Sequence, residues 1–195
     1  PPTSATLHGD RRGGVEHGAI HKPIHTSVQY GYERTEDLIG VFQGTLKNSF
    51  SYARQGTPTT AALEAKLTQL EQGLGSICFA SGMAAINAIF SMLKSGDHVV
   101  CGHDLYGGVP RLCNQVLADF GLEFSYVNTT DPANVERALR KNTRMVYIET
   151  PTNPLMSLSD IQAISRISRR KKVDLIVDNT FMSPYFQQPI KLGAD

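Results

Sequence analysis

Apolar positions follow two unlike patterns along the chain, and the change comes near Pro58. Beyond it, short apolar runs alternate with longer stretches whose apolar residues recur every three or four positions, the spacing of a helix with one buried stripe. Thr59 or Thr60 caps a predicted helix carrying Leu63, Leu67, Leu70 and Leu74 on one face, with Gly73 or Gly75 ending it. Ile77, Cys78, Phe79 and Ala80 read as a short buried strand that runs through Ser81-Gly82 into a helix with Ala85, Ile86, Ile89, Phe90 and Leu93. Gly96-Asp97 turns the chain into a strand from His98 to Cys101. Val109 to Phe120 is predicted helical and Glu123 to Val127 extended. Asp131-Pro132 opens a helix ending near Arg140, with proline in the first turn, where its missing N–H costs nothing. Met145 to Glu149 is the next strand, broken by Pro151 and Pro154. A helix then begins at Asp160, capped by Ser157 or Ser159, carries Ile161, Ile164 and Ile167, and ends in Arg169-Arg170-Lys171-Lys172. Leu175 to Asp178 closes the series as a strand. Strands alternating with helices predict an α/β fold, a mostly parallel sheet with flanking helices.

Residues 1–58 lack this regularity. They are interrupted by Gly9, Gly13-Gly14, Gly31, Gly40, Gly44 and Gly56, and only Asp37 to Phe42 suggests a helical turn. So long an irregular lead is uncommon in a compact domain. Tyr30, Tyr32, Phe42, Phe50 and Tyr52 nevertheless supply too much apolar surface for a disordered tail. We therefore expect an extended N-terminal arm over 1–58 that packs on another body, such as a neighbouring subunit, followed by a domain over 59–195.

Charge narrows the classes of function. Nineteen Lys and Arg against eighteen Asp and Glu leave a formal charge of +1, which gives no general field for nucleic acid or an acidic membrane. The basic run Arg166 to Lys172 lacks interleaved aromatics and suits the carboxyl end of a helix. No apolar run has the length of a membrane span. Cys78, Cys101 and Cys113 form neither a disulfide framework nor a zinc signature, and His8, His17, His21 and His25 match no metal spacing. The expectation is a cytoplasmic protein that uses no metal. Its ends, a first residue other than Met and a final Gly-Ala-Asp that reads like the approach to another strand, suggest part of a longer chain.

In an open α/β sheet, ligands bind beyond the carboxyl ends of the strands. The polar or glycine residues just past the apolar runs are therefore the candidates: Ser81-Gly82-Met83, His103 to Gly108, Glu149 to Asn153 and Asp178-Asn179-Thr180. Singly each reads as a turn or a cap; together they suggest one composite site. Ser81-Gly82-Met83 opens a helix directly after a strand, where free N–H groups and the positive helix end seat an anion such as phosphate. Asp178 either pairs with a buried cationic nitrogen or caps the following turn. Tyr106, beside Gly107-Gly108, is either a ring that stacks on a flat ligand or a core tyrosine. Tyr52 and Arg54 alternate onto one face of the arm, offering a hydroxyl and a guanidinium to a phosphate, or forming a surface pair. Neither a dinucleotide fingerprint, a P-loop nor a serine-hydrolase elbow is present.

Five stretches in order give these residues a context: Ser49 to Pro58 (SFSYARQGTP), Phe79 to Ala84 (FASGMA), Asp104 to Gly108 (DLYGG), Glu149 to Pro154 (ETPTNP) and Asp178 to Pro189 (DNTFMSPYFQQP). From about Gly18 onward the chain resembles the pyridoxal-phosphate (PLP) enzymes of cysteine and methionine metabolism, the transsulfuration enzymes. The resemblance implies the type I, aspartate aminotransferase-like, PLP-dependent transferase fold and pyridoxal 5′-phosphate as cofactor. It implies that Gly82 and Met83 give N–H groups to the cofactor phosphate, and that Tyr52 and Arg54 reach the phosphate of a neighbouring subunit. Tyr106 would stack on the pyridine ring and assist proton transfer or leaving-group departure. Asp178 would pair with the pyridinium nitrogen, and Asn153 would hold the phenolic oxygen or position the substrate. A homotetramer built from dimers with shared sites is the implied assembly.

One departure from the family pattern stands out. The Schiff-base lysine, in a Ser-x-Thr-Lys setting, is expected beyond Asp195; Lys191, in Pro-Ile-Lys-Leu, is not in that setting. The C-terminal domain, with the arginine for the substrate carboxylate, is also expected beyond it. The chain thus resembles about the first half of a subunit, which alone would be inactive. Gly107 and Gly108 follow Tyr106 where the methionine γ-lyase branch carries a cysteine. The motifs look most like the cystathionine γ-lyase branch, implying α,γ-elimination of cystathionine to cysteine, 2-oxobutanoate and ammonia. Cystathionine γ-synthase or O-acetyl/O-succinylhomoserine sulfhydrylase chemistry, a γ-replacement on a homoserine ester, is the alternative. A non-catalytic α/β scaffold or binding protein is the alternative of another class.

Overall fold

A computed structural model describes residue 4 and residues 16–195, and His8 of the sequence expectations lies outside them. The chain forms two compact units, one ending at Cys78 and the other running from Phe79 to Asp195. In the first, an isolated antiparallel bridge joins Gln29 to Tyr52, and the Tyr32 hydroxyl donates to the Phe50 carbonyl at 2.8 Å while accepting the Phe50 N–H at 3.1 Å. Aromatic residues thus order a lead that has little regular structure. Helices α1 (Thr35–Phe42) and α2 (Pro58–Glu71) and a 3-10 turn at Glu16–Gly18 are the helical elements among its described residues from Glu16 on. Thr57, rather than Thr59 or Thr60, caps α2. Its hydroxyl accepts the Thr60 N–H at 3.1 Å and the Thr60 hydroxyl accepts the Thr57 N–H at 2.9 Å, with Pro58 in the first turn. The expected leucine face is not closed over: Leu63 and Leu74 are exposed.

Four parallel strands organise the second unit: β1 (His98–Gly102), β2 (Glu123–Val127), β3 (Thr143–Glu149) and β4 (Asp174–Asp178), in the spatial order β2-β1-β3-β4. The expected α/β class and parallel sheet are observed. Alternation along the strands sends Val99, Cys101, Met145 and Tyr147 to one face, under α3 (Gly82–Phe90), α4 (Gly108–Leu112) and the π-helical turn Cys113–Leu117 that continues α4. Val100, Val146, Ile148 and Leu175 go to the other face, under α5 (Pro132–Ala138), α6 (Ile161–Lys171) and the segment around Ala194. Asp160 itself, not Ser157 or Ser159, caps α6 by accepting the Ala163 N–H at 2.9 Å. Two short helices, α7 (Ser183–Phe186) and α8 (Pro189–Leu192), end the chain. Among the described residues no helix is long and apolar enough to cross a membrane.

One predicted element does not form. Residues 77–80 pair with no strand, and Ile77 and Phe79 are exposed. An extended segment must place its backbone N–H groups somewhere. Here the Cys78 N–H donates to the Glu64 carboxylate at 2.9 Å instead of to a ladder. Apolar content alone predicted a buried strand, but pairing decides it.

Candidate active site

The chain leaves β1 through α4 on one face of the sheet and leaves β3 through α6 on the other, so a crevice opens between the carboxyl ends of these two adjacent strands. A cavity of about 410 Å³ lies there, lined by Ser81, Gly82, Met83, Tyr106, Glu149, Asn153 and Asp178, with Ile86, Thr180 and Phe181. Its volume is within the usual range for small-molecule sites. A larger groove of about 1230 Å³ runs in the first unit, between the aromatic lead and the alanines of α2. The smaller cavity is the better candidate, because it gathers groups from the carboxyl ends of β1, β3 and β4 with the start of α3.

Each wall has a local cause. Ser81 caps α3 by accepting the Ala84 N–H at 3.2 Å. That leaves the Gly82 and Met83 N–H groups at the positive helix end, where a helix start provides no internal acceptor. A Cβ built on Gly82 would meet nothing within 4 Å, and Gly82 and Met83 both line the cavity. Across from them, Glu149 and Asp178 are register partners at the ends of β3 and β4. One Asp178 oxygen accepts the Thr180 N–H at 3.0 Å and the Thr180 hydroxyl at 2.5 Å. The other takes a single bond, from the Tyr147 hydroxyl at 3.2 Å, and keeps acceptor capacity. Asp178 thus caps its turn with one oxygen, as one of the two sequence alternatives has it, and its second oxygen keeps room for a further donor. Burial, and then the Asp178 charge, push the Tyr147 phenol up, so it remains a donor.

Tyr106 is half exposed and is not a core residue. Its backbone N–H donates to Glu149 at 2.7 Å, and the Asn153 N–H donates to the other Glu149 oxygen at 2.9 Å. Burial foremost, then the Asp178 and Asp104 charges, raise the Glu149 carboxyl above its ordinary value, while the two N–H bonds oppose this. A Cβ on Gly108 would fall 2.7 Å from Tyr106 Cε1 and 2.8 Å from Met83 Sδ, so glycine there lets the ring and the sulfur approach.

The structure therefore brings Gly82, Met83, Tyr106, Asn153 and Asp178 onto one cavity. Tyr52 and Arg54 belong to the first unit, where the Arg54 guanidinium carbon lies 4.9 Å from the Tyr52 ring centroid. Sequence reading placed Glu149 at a strand end without giving it a role, and missed Tyr147. A glutamate closing an apolar strand was the available signal for the first. Tyr147 reads as core until the register places its hydroxyl beside Asp178. His98 stands at the opposite end of the sheet, as a core histidine.

A sequence profile of the Cys/Met metabolism PLP-dependent enzymes matches residues 3–195. The chain belongs to that family. It is 43% identical over 189 residues to cystathionine gamma-lyase of Bacillus subtilis (strain 168), covering 97% of this chain and 48% of that protein. It is 43% identical over 178 residues to a probable cystathionine gamma-synthase of Herpetosiphon aurantiacus, covering 91% and 53%. The solved structure of cystathionine gamma-lyase from Lactobacillus plantarum complexed with L-serine superposes over the whole chain and 49% of its own, with a TM-score of 0.89 at 39% identity. The chain thus spans about half the length of the curated relatives it matches.

The family is PLP-dependent and the fold is that of its solved members. The cavity suits this cofactor on its own chemistry. It has the start of a helix, with Gly82 and Met83, on its wall, and an exposed tyrosine ring. It also has a carboxylate oxygen with an unused lone pair.

Proposed function

We propose that the intact protein is a PLP-dependent carbon–sulfur lyase that acts on cystathionine by α,γ-elimination, yielding cysteine, 2-oxobutanoate and ammonia. The convergence of Tyr106, Asp178 and the α3 amino end on one cavity supports the cofactor, and the likeness to a cystathionine gamma-lyase supports the choice of reaction. Pyridoxal phosphate, when bound, withdraws electrons from the carbon bearing the substrate's amino group. Asp178 keeps the ring nitrogen protonated through its free lone pair. Gly82 and Met83 take the phosphate charge at the helix start, and Asn153 holds the phenolic oxygen or the substrate. The Tyr106 ring stacks over the site, and its hydroxyl hands a proton to the departing sulfur. Tyr52 and Arg54 reach the phosphate in a neighbouring subunit of a homotetramer, in the cytoplasm, and the Schiff-base lysine comes from chain beyond Asp195.

A γ-replacement on a homoserine ester is the second reading, favoured by the synthase relative at the same 43% identity. The test uses the full-length protein. Pyridoxal phosphate binding is measured by absorbance, then turnover of cystathionine alone against turnover of a homoserine ester with cysteine or sulfide. Lyase activity without the ester supports the first reading, and product only with both substrates supports the second. Absence of cofactor binding would leave a non-catalytic scaffold. Tyr106→Phe should lower turnover about 10²-fold or more while cofactor binding survives; an unchanged rate removes Tyr106 from the chemistry.

A further inference from the structure

Glu149 lies under the cavity, 6% exposed, and each of its oxygens takes one backbone N–H from a different loop. One loop follows β1 and presents Tyr106; the other follows β3 and presents Asn153. We propose that Glu149 is a positioning residue that locks these two loops in register, so that the Tyr106 ring and the Asn153 side chain face the cofactor together. The inference rests on the functional reading above.

Both partners of Glu149 are donors, so the side chain must offer two acceptors at this length. A carboxylate does so and an amide does not. Because the bonds come from backbone N–H groups, side-chain changes in either loop other than to proline keep the donors. A neighbouring bond, from the Thr152 hydroxyl to Asp104, ties the same two loops and leaves the end bearing Tyr106 to Glu149. Holding the carboxylate here is costly. It is buried beside Asp178 on β4, and Asp104 on the β1 loop adds a second like charge. Tyr147, on its own strand, turns its hydroxyl to Asp178. A group used only for packing would be better neutral, so the charge points to the two N–H bonds as the reason for it.

The test compares wild type, Glu149→Gln and Glu149→Asp in the full-length protein. The measurements are pyridoxal phosphate affinity, thermal unfolding, kcat and KM, and the pH profile of kcat/KM. Glutamine keeps the size and loses one acceptor. Aspartate keeps both acceptors and is one methylene shorter. We expect Glu149→Gln to lower kcat about 10- to 100-fold, with KM changing less and cofactor affinity weakened. The acid limb of the pH profile should lie above the ordinary glutamate value in wild type and be absent in the variant. Aspartate should recover part of the rate. Wild-type kcat, KM and acid limb in Glu149→Gln would overturn the proposal. So would Glu149→Asp proving worse than Glu149→Gln, as expected of a packing group. If Glu149→Gln does not fold, the wild-type profile decides: an acid limb no higher than the ordinary glutamate value would overturn the proposal. Wild type that binds no pyridoxal phosphate would instead sink the functional reading, and the inference with it.

Discussion

At the amino ends of β1, β2 and β3, His98 is wholly buried, with Nδ1 2.7 Å from the Thr143 hydroxyl and Nε2 3.0 Å from the Ser125 hydroxyl. At the carboxyl ends of β1, β3 and β4, Glu149 and Asp178 lie side by side and border a cavity. Arg140 completes the first arrangement, donating to Ser125 at 3.0 Å and to Glu123 at 2.9 Å. Both nitrogens of the buried His98 ring thus find partners inside the protein, and the Arg140–Glu123 pair beside them is half exposed. At the other end, donors at a helix start and one carboxylate oxygen keep capacity for something else. The ionisable groups that keep open valences thus lie at the end where the strands diverge onto opposite faces, while the ring of His98 at the other end has both nitrogens bonded within the protein. Buried ionisable groups therefore mark function only where their neighbours leave valences open.

The comparison breaks most sharply at Asp178. Asp178→Asn keeps the size and the bond with Thr180 but removes the charge that faces the cavity. In the full-length protein we expect turnover to fall roughly 10²–10³-fold, with an unfolding temperature close to wild type. A fall of less than about threefold would mean that the open valence at this strand end has no catalytic use.

Gly108 offers a smaller and more local test. An alanine methyl there would press on Tyr106 Cε1 and Met83 Sδ at 2.7 and 2.8 Å, both flexible side-chain atoms rather than backbone. Gly108→Ala should cost about 1–3 kcal/mol if the neighbours resist and less if the exposed ring swings away. We expect the ring to move, so cofactor affinity and turnover fall about tenfold while the unfolding free energy drops by less than about 1 kcal/mol. A large stability loss with full cofactor affinity would show that the ring is held in place.

Much of this contrast was legible in the sequence. The strand from Glu123 to Val127 ends where the apolar pattern ends, because both faces of that stretch pack locally. The strand ends carrying Tyr106, Asn153 and Asp178 were legible too, since polar residues after an apolar run cannot continue into the core. The segment from Ile77 to Ala80 was not, because a strand needs a partner and hydrophobicity does not name one. Nor were the bonds of Glu149, which go to backbone N–H groups that every residue carries. Tyr147 was hidden for a related reason. Its ring packs against Phe90 at 5.3 Å like any core aromatic, and only its hydroxyl reaches the site.

His98 tests the closed end, where the effect on turnover should be smallest. Burial first, and then the Arg140 guanidinium, hold its imidazole below the ordinary value, against the opposing pull of Glu123. The unfolded chain therefore binds a proton that the folded chain refuses. The stability due to neutral His98 is full above the unfolded value of about pH 6.5, and it is lost as pH falls from there through the lower folded value. Denaturant unfolding of wild type should show a midpoint that declines below about pH 6.5. His98→Gln reaches at most one of the two hydroxyls and should be about 1–3 kcal/mol less stable at neutral pH. Below pH 6.5 the variant should lose less than wild type does, so the two curves converge on the acid side. Turnover at neutral pH should stay near wild type, since His98 meets none of the cavity residues. If the curves instead stay parallel through that range, His98 titrates alike in both states, and the amino end of the sheet is more open to water than its hydrogen bonds imply. If turnover falls along with stability, the two ends are coupled through β1 and β3, and the division between a closed end and a working end fails.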